Sequence, residues 1–366
     1  MMKGPALENL AGVIAEACRE GLDPDALRAR VLPRLRRAVP VDALWWATVD
    51  PTTLLFTRAY REEIPEETGP YFIENEFLGS DHNKWVELAR DREGVRTLLA
   101  ATGGDLGKSG RYRDIFQPLG LADELRAVLR SHGVCWGYIC LHREGPAGFS
   151  SAEAAFVKRI APHLAEGIRL GLLVSSLELG DPMEAPGLLL LAPDGSLAAT
   201  NSAGDQWLEE LRAPGLDSML PIEVQAVAGM LRGIGEAGRA LPRLRVKTRA
   251  GRWAVLHASW LAADRATIAV IVEQAAPTEI APLLMAAHGL TKQERALTGL
   301  VCQGLSTREI STQLHLTQNT VQDHLKSVFD KTGVRSRREL VASIMKQDYL
   351  PRVKAGQPIA RSGFFA

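Results

Sequence analysis

The chain has 366 residues, of which 46% are hydrophobic and 23% are charged, and its formal net charge at pH 7 is zero. This composition excludes a disordered, collagen-like or purely coiled-coil protein and predicts two to three packed domains. The sequence has neither an apolar run of the roughly 18–20 residues needed for a membrane helix nor a secretory signal, so we expect a cytoplasmic protein with four reduced cysteines.

The first segment, residues 1–180, mixes helical and strand patterns. It begins with apolar residues at helical spacing, which predict a helix over 7–38. Residues 61–92 show no clear period. Ser150 and Glu153 form the pattern of a capping box, which predicts the start of a long helix. The predicted strands are 44–49, 54–57, 124–129 and 136–141. Cys135 and Cys140 fall on opposite faces of a regular strand, which disfavours a disulfide or a shared metal.

The second segment, residues 186–275, begins with two apolar runs around Asp194-Gly195. Asp-Gly between apolar runs predicts a hairpin. The other predicted elements are a helix over 202–211 and strands over 253–260 and 267–272.

The third segment, residues 283–348, is helical and basic. Residues 283–366 contain twelve basic and six acidic side chains, which is typical of a module that binds a polyanion, although ordinary surface variation gives the same charge split. Thr291, Ser306, Thr317 and Ser336 are placed as N-caps of helices over 291–303, 306–314, 317–331 and 336–347. Only His315-Leu316 separates the second helix from the third, which predicts a helix-turn-helix. Residues 349–366 are predicted to be a flexible tail.

The predicted recognition helix, 317–331, has two faces. Val321, Leu325 and Val328 share one face and are predicted to be core residues. The opposite face is entirely polar and is suited to the base edges of a major groove; it carries Asn319, Gln322, Asp323, Lys326 and Asp330.

Four motifs give the third segment a family resemblance. They are Leu290-Thr291-Lys292-Gln293-Glu294-Arg295, Gln303-Gly304-Leu305-Ser306-Thr307-Arg308-Glu309-Ile310, Asn319-Thr320-Val321-Gln322-Asp323-His324-Leu325 and Lys331-Thr332-Gly333-Val334-Arg335-Ser336-Arg337. These motifs resemble the LuxR-type DNA-binding domain. The resemblance implies a four-helix module that binds double-stranded operator DNA as a homodimer and regulates transcription. Many family members have lysine where this chain has Gln322, so we expect more of its affinity to come from base readout.

Individual roles follow from the residue chemistry and the helix positions. We expect base contacts from Asn319, Gln322, Asp323 and Lys326. We expect phosphate contacts from Ser306, Arg308, Thr317, Thr320, Ser336 and Arg337. On the last helix, Val341 and Met345 are the candidates for dimer contacts, with burial in the module's own core as the alternative.

The front segments resemble sensory domains in their strand patterns. Residues 1–180 resemble a GAF domain, and residues 186–275 resemble a degenerate PAS domain. The predicted fold class is therefore multidomain, with two α+β domains followed by an all-α helix-turn-helix domain. The sequence contains no catalytic constellation, identifies no cofactor and predicts no metal site. Three hypotheses remain for the front end: a receptor for a small-molecule effector, a ligand-free dimerisation scaffold, and an enzyme with a DNA-binding tail.

Overall fold

The computed structural model describes residues 4–145, 147–175, 183, 185–212, 220–234, 241–261 and 265–343. Two compact units are present. The front unit comprises Met1–Ser175 with Pro182–Gln274, and the output unit comprises Ser176–Asp181 with Ala275–Ala366. In the described part of the chain, no helix is long and apolar enough to cross a bilayer. The predicted tail, 349–366, lies outside the described residues.

The front unit begins with an antiparallel sheet in the order β2-β1-β5-β4-β3. Its strands are β1 (Ala43–Val49), β2 (Phe56–Glu62), β3 (Val95–Thr97), β4 (Leu121–Ser131) and β5 (Val134–Glu144). Strands β1, β4 and β5 are buried on both faces, so their apolar runs are nearly continuous rather than alternating. The strands predicted over 44–49, 124–129 and 136–141 are confirmed, whereas the second strand begins two residues later than predicted.

Helices cover this sheet, and one prediction about them is wrong. They are α1 (Gly4–Ala17), α2 (Pro24–Ala38), α3 (Gly69–Phe77), α4 (Trp85–Leu88), α5 (Leu98–Ala101) and α6 (Ser151–Ser175). The helix predicted over 7–38 is two helices. Gly21 has a φ of +68°, in the left-handed region that favours glycine. The Asp23 side chain then caps α2 by accepting hydrogen bonds from two backbone N–H groups at 2.9 and 3.1 Å.

The strand β5 has different neighbours on its two faces. Gly137 lies against Ile168 of α6 on one face. Tyr138 and Cys140 belong to a core cluster on the other face, and Cys135 belongs to the same cluster. The prediction that the two cysteines occupy opposite faces is therefore wrong, because the β4–β5 register shifts next to Cys135 and the strand is not regular.

A network of buried charges lies on the face of the sheet opposite α6. Arg111 and Arg126 are fully buried and donate hydrogen bonds to Glu124 at 2.6 and 3.1 Å. Arg126 also donates to Glu76 at 2.9 Å and lies over the Trp85 ring. Burial opposes ionisation of Glu124, but the two guanidinium groups hold its pKa well below the usual range. The segment 61–92 lacks an apolar period partly because some of its inward side chains serve this network.

A second antiparallel sheet follows in the order β7-β6-β10-β9-β8. Its strands are β6 (Gly187–Leu191), β7 (Leu197–Thr200), β8 (Arg243–Lys247), β9 (Trp253–Trp260) and β10 (Ile268–Gln274), and its helices are α7 (Ser202–Leu211) and α8 (Ile222–Ile234). The predicted Asp194-Gly195 hairpin is confirmed, and Gly195 has a φ of +91°. The sequence does not predict α8 or β8.

The two sheets belong to one folded body. Buried side chains of both sheets form a single core cluster. At their junction, Arg245 of β8 donates to both carboxylate oxygens of Asp50 at 2.6 and 2.8 Å. Asp50, which is only 2% exposed, follows β1 directly. This ion pair joins residues 195 positions apart in the sequence.

The output unit is helical. Its helices are α9 (Pro277–Ala287), α10 (Lys292–Cys302), α11 (Thr307–Gln313), α12 (Gln318–Thr332) and α13, which is helical over the described residues 337–343. The predicted helix stops at Gly304 and Gly333 are confirmed, with φ values of +85° and +71°. The sequence does not predict α9, and the boundary placed at 283 falls inside it. The fold class of α+β sheets followed by an all-α domain is confirmed.

Candidate nucleic-acid interface

A tight turn sets the angle between α11 and α12. The Ser311 hydroxyl donates to the Leu316 carbonyl at 2.6 Å, and His315 has a φ of +54°. The Thr317 hydroxyl then accepts from the Thr320 N–H at 3.1 Å and caps α12. Because all of these contacts lie between Ser311 and Thr320, one short stretch of sequence determines the helix-turn-helix geometry.

The predicted division of α12 into two faces is confirmed. Val321, Leu325 and Val328 are at most 2% exposed and belong to the core of the output unit. All five predicted polar-face residues are exposed: Asn319, Gln322, Asp323, Lys326 and Asp330. In the described part of the chain, the Lys326 ammonium makes no hydrogen bond or ion pair within the protein, so it remains available for an anion or a base.

Thr307 is an organising residue that sequence reasoning does not identify. Its hydroxyl oxygen accepts from Gln322 Nε2 at 3.3 Å and from Arg337 Nη2 at 2.9 Å. Arg337 also donates to the Leu305 carbonyl at 3.0 Å. The amide of Gln322 therefore has a preferred direction, while its oxygen and second N–H stay available for a bidentate contact. Thr307 is the first residue of α11, and no local pattern links it to Gln322.

The six predicted phosphate-contacting residues comprise four with hydroxyl groups and two arginines, of which Arg337 is described above. Ser306, Thr317 and Ser336 are N-cap residues whose hydroxyls accept from the backbone of their own helices. Thr320 contacts the Thr317 hydroxyl. Arg308 is exposed, and no ion pair holds its side chain in the described structure. Ser306 and Thr317 are exposed, so the positive N-terminal ends of α11 and α12 lie at the surface of the unit.

Glu294 anchors α12 to α10. It is 3% exposed and accepts hydrogen bonds from Lys331 Nζ at 2.7 and 2.8 Å and from the Ser327 hydroxyl at 2.7 Å. It also accepts from the Thr291 N–H at 2.7 Å. Burial alone would raise the pKa of Glu294, but these hydrogen bonds lower it to about 2. The sequence identifies Glu294 only as part of a capping box, because its partners on α12 are more than 30 residues away.

Comparisons with known proteins now identify this unit. Residues 288–344 match the GerE family model, described as bacterial regulatory proteins, luxR family. The spore germination protein GerE of Bacillus subtilis is 33% identical over 61 residues, which are 17% of this chain and 82% of that protein. The chain belongs to the luxR family of bacterial regulatory proteins. The LuxR-type resemblance of the four sequence motifs is thereby confirmed.

Similarity to other proteins covers different parts of the chain. The monoamine regulon transcriptional regulator of Klebsiella aerogenes is 43% identical over 53 residues, 14% of this chain and 23% of that protein. The chain thus spans less than a quarter of that relative's length. The GAF domain of a phosphoenolpyruvate-protein phosphotransferase from Coxiella burnetii is 18% identical and has a TM-score of 0.31, covering 44% of this chain and 92% of that one.

The predicted dimer residues lie at the end of the luxR-family unit. Val341 is half-buried, packs against the unit's core and lines a shallow surface groove with Val301, Leu305 and Arg338. Met345 lies outside the described residues.

One group in the front unit has the composition of a metal site. The potential ligand atoms of Glu124, Cys140 and His142 lie within 4.8 Å of one another. Glu124, however, already accepts hydrogen bonds from Arg111 and Arg126. Two guanidinium groups beside the carboxylate oppose a further cation, so the chemistry of this group is that of an ion-pair network.

Proposed function

We propose that the protein is a cytoplasmic transcription regulator that binds double-stranded operator DNA as a homodimer under the control of its front unit. The observation that carries this proposal is the exposed polar face of α12, held opposite a buried apolar face and next to two capped helix starts. An α-helix with this division fits a major groove, where its side chains meet the base edges.

Four of the five residues on the polar face of α12 have a chemical role in this proposal. Asn319 and Gln322 form bidentate contacts with adenine, Lys326 donates to guanine, and Asp323 accepts from cytosine. The hydrogen bond from Gln322 to Thr307 holds the amide before DNA arrives, which reduces the entropy lost on binding.

Residues next to α12 hold the phosphate backbone. Arg308 and Arg337 supply positive charge, and the hydroxyls and first-turn N–H groups of the capped helices contact phosphate oxygens. The hydroxyl contacts come from Ser306, Thr317, Thr320 and Ser336. These contacts fix the register of the protein on the duplex but carry no sequence information.

The homodimer uses the last helix. Val341, at the edge of a surface groove, and Met345 contact the partner, and the pair reads two half-sites about one helical turn apart.

The front unit supplies the sensory input, and we favour a small-molecule effector over a ligand-free scaffold. The specific observation is a largely apolar cavity beside the first sheet, lined by residues from both sequence segments that resemble sensory domains. A ligand in this position contacts both segments at once.

The test of base readout is Gln322→Ala in the full chain, with Gln303→Ala as a matched control. Gln303 is exposed at the end of α10 and is not among the residues assigned to DNA contact. The operator is first selected from random DNA, and its footprint should cover two half-sites. Gln322→Ala should then weaken operator binding by about 1–3 kcal/mol and leave scrambled DNA unaffected. An equal loss on both DNAs would refute base readout, and a single half-site footprint would refute the dimer.

A further inference from the structure

The cavity of the front unit has a volume of about 100 Å³. The aromatic rings of Trp45, Phe72 and Phe116 line it on the side of the first sheet, and Leu220 and Ile222 line it at the start of α8. An engineered apolar cavity of roughly 150 Å³ binds benzene, so this volume suits one small ring rather than a long acyl chain or a fused ring system.

Two buried polar side chains that line the cavity retain unused hydrogen-bonding capacity. Glu223, the second residue of α8, is 5% exposed and makes no hydrogen bond or ion pair with another described side chain. His142 of β5 is 1% exposed, and its Nδ1 has no hydrogen-bond partner in the described structure. A buried polar group without a hydrogen-bond partner destabilises the folded chain, and a ligand that supplies the missing hydrogen bond recovers part of that cost.

Both of these groups are neutral near pH 7. Burial raises the pKa of Glu223 to about 8, against the opposing effects of a hydrogen bond from its own backbone N–H and of the Arg58 charge. Burial lowers the pKa of His142 to about 4. Two other titratable groups line the cavity, Tyr60 and Cys140, and burial raises the pKa of each. Of these four lining groups, Glu223 is the one whose pKa lies between 7 and 9, so at pH 7 its carboxyl group has an O–H to donate.

The charge of the lining is positive. Arg58, Arg61 and Arg212 line the cavity and have side chains 33%, 19% and 32% exposed, so they lie on its solvent side. Their carboxylate partners are Asp25, Glu66 and Glu209, none of which lines the cavity. The Nε of Arg212 is buried and has no acceptor in the described part of the chain. Three guanidinium groups and a neutral carboxyl group attract an anion and repel a cation.

We propose that this cavity binds a small monocarboxylic acid with a single aromatic ring. The ring packs against Trp45, Phe72 and Phe116, and the carboxylate accepts hydrogen bonds from the Glu223 O–H and from the Arg212 guanidinium. His142 offers a hydrogen bond to a polar substituent on the ring. The inference rests on the proposed sensory role of the front unit. It concerns binding alone, however, so it is tested without DNA and fails or holds independently of transcriptional control.

Three probes of the same size separate the charge classes. Benzoate, neutral benzamide and cationic benzylamine are titrated into the full-length protein at pH 7, with the fluorescence of Trp45 and the other tryptophans as the readout. Benzoate should bind about tenfold or more tightly than either analogue, and 4-hydroxybenzoate should bind tighter still through His142. Equal binding of the three probes, preference for benzylamine, or no binding of benzoate would overturn the proposal.

Two variants and the pH dependence test the assigned contacts. Arg212→Gln should weaken benzoate binding by about tenfold and leave benzamide binding unchanged. The affinity of the wild type should fall by up to about tenfold per pH unit above pH 8, because the carboxylate requires protonated Glu223. Glu223→Gln keeps a donor and should bind benzoate with no such decline. A decline that persists in Glu223→Gln, or an Arg212→Gln variant that folds and binds benzoate normally, would overturn the geometry.

Discussion

Replacing Glu294 by glutamine should loosen the attachment of α12 to the rest of the output unit. The carboxylate of Glu294 accepts two hydrogen bonds from Lys331, one from Ser327 and one from the Thr291 N–H. Glutamine has the same size but only one accepting oxygen, and it leaves Lys331 without a counter-ion. A hydrogen bond to a charged group contributes about 1.5–3 kcal/mol. Because the Lys331 side chain is 34% exposed and regains water, we expect a net loss of about 2 kcal/mol.

The pH dependence of this loss follows from the direction of the pKa shift. Hydrogen bonding lowers the pKa of Glu294 to about 2 in the folded chain, whereas an unfolded glutamate titrates near 4.3. The stabilisation by Glu294 is therefore complete above about pH 5 and disappears as the pH falls toward 2. The difference between the wild type and Glu294→Gln should shrink over the same interval, since the variant has no carboxyl group to protonate.

Hydrogen exchange of the α12 amides in the full chain measures the effect locally. A loss of about 2 kcal/mol corresponds to exchange about 30-fold faster at neutral pH. The matched control is Glu309→Gln, which removes the same position of a capping box at the exposed start of α11. Glu309 has no lysine partner in the described structure, so its effect should be smaller and confined to α11. Equal acceleration of α12 by both variants would refute the anchoring role of Glu294.

Two further predictions concern packing in the front unit. Asp50→Asn leaves Arg245 buried without its anionic partner and should destabilise the front unit by about 3 kcal/mol in thermal unfolding; an unchanged midpoint would contradict a structural role. Gly171→Ala places a methyl carbon 2.1 Å from the Leu22 carbonyl oxygen and should cost about 1–3 kcal/mol, whereas Gly12→Ala, with nothing within 4 Å, should cost nothing; equal midpoints would contradict the close packing of α6.

Local interactions explain why so much of the luxR-family unit could be predicted. A capping box needs two residues three positions apart, so Thr291 with Glu294 and Ser306 with Glu309 can be read directly from the sequence. The polar face of α12 follows from the 3.6-residue period. Val321, Leu325 and Val328 recur at helical spacing and are buried, so the opposite side of the helix meets solvent. Sequence reasoning succeeds where the deciding contacts lie within one helical turn.

Two of the three errors have non-local causes. The exception is the break between α1 and α2, which depends on the local conformation of Gly21 and the local cap at Asp23, whereas the apolar spacing continues on both sides and favours one long helix. The face of Cys135 depends on a register shift in the pairing of β5 with β4, which no property of β5 alone reveals. Strand β8 forms against β9, and the buried charge of its Arg245 is stable only because Asp50 lies beside it.

The position of the cavity at one end of α8 limits how a ligand could act. Toward the other end, Gly229 lies against Ile73 and Gly233 against Phe77, and a Cβ at Gly233 would lie 2.3 Å from the Phe77 carbonyl oxygen. This end of α8 is close-packed, and close-packed interiors yield little without a large cost in free energy. A ligand beside Glu223 therefore acts on the first turn of α8. Its effect cannot exceed the difference between its affinities for two conformations of that turn, which in regulated proteins is typically about 1–3 kcal/mol.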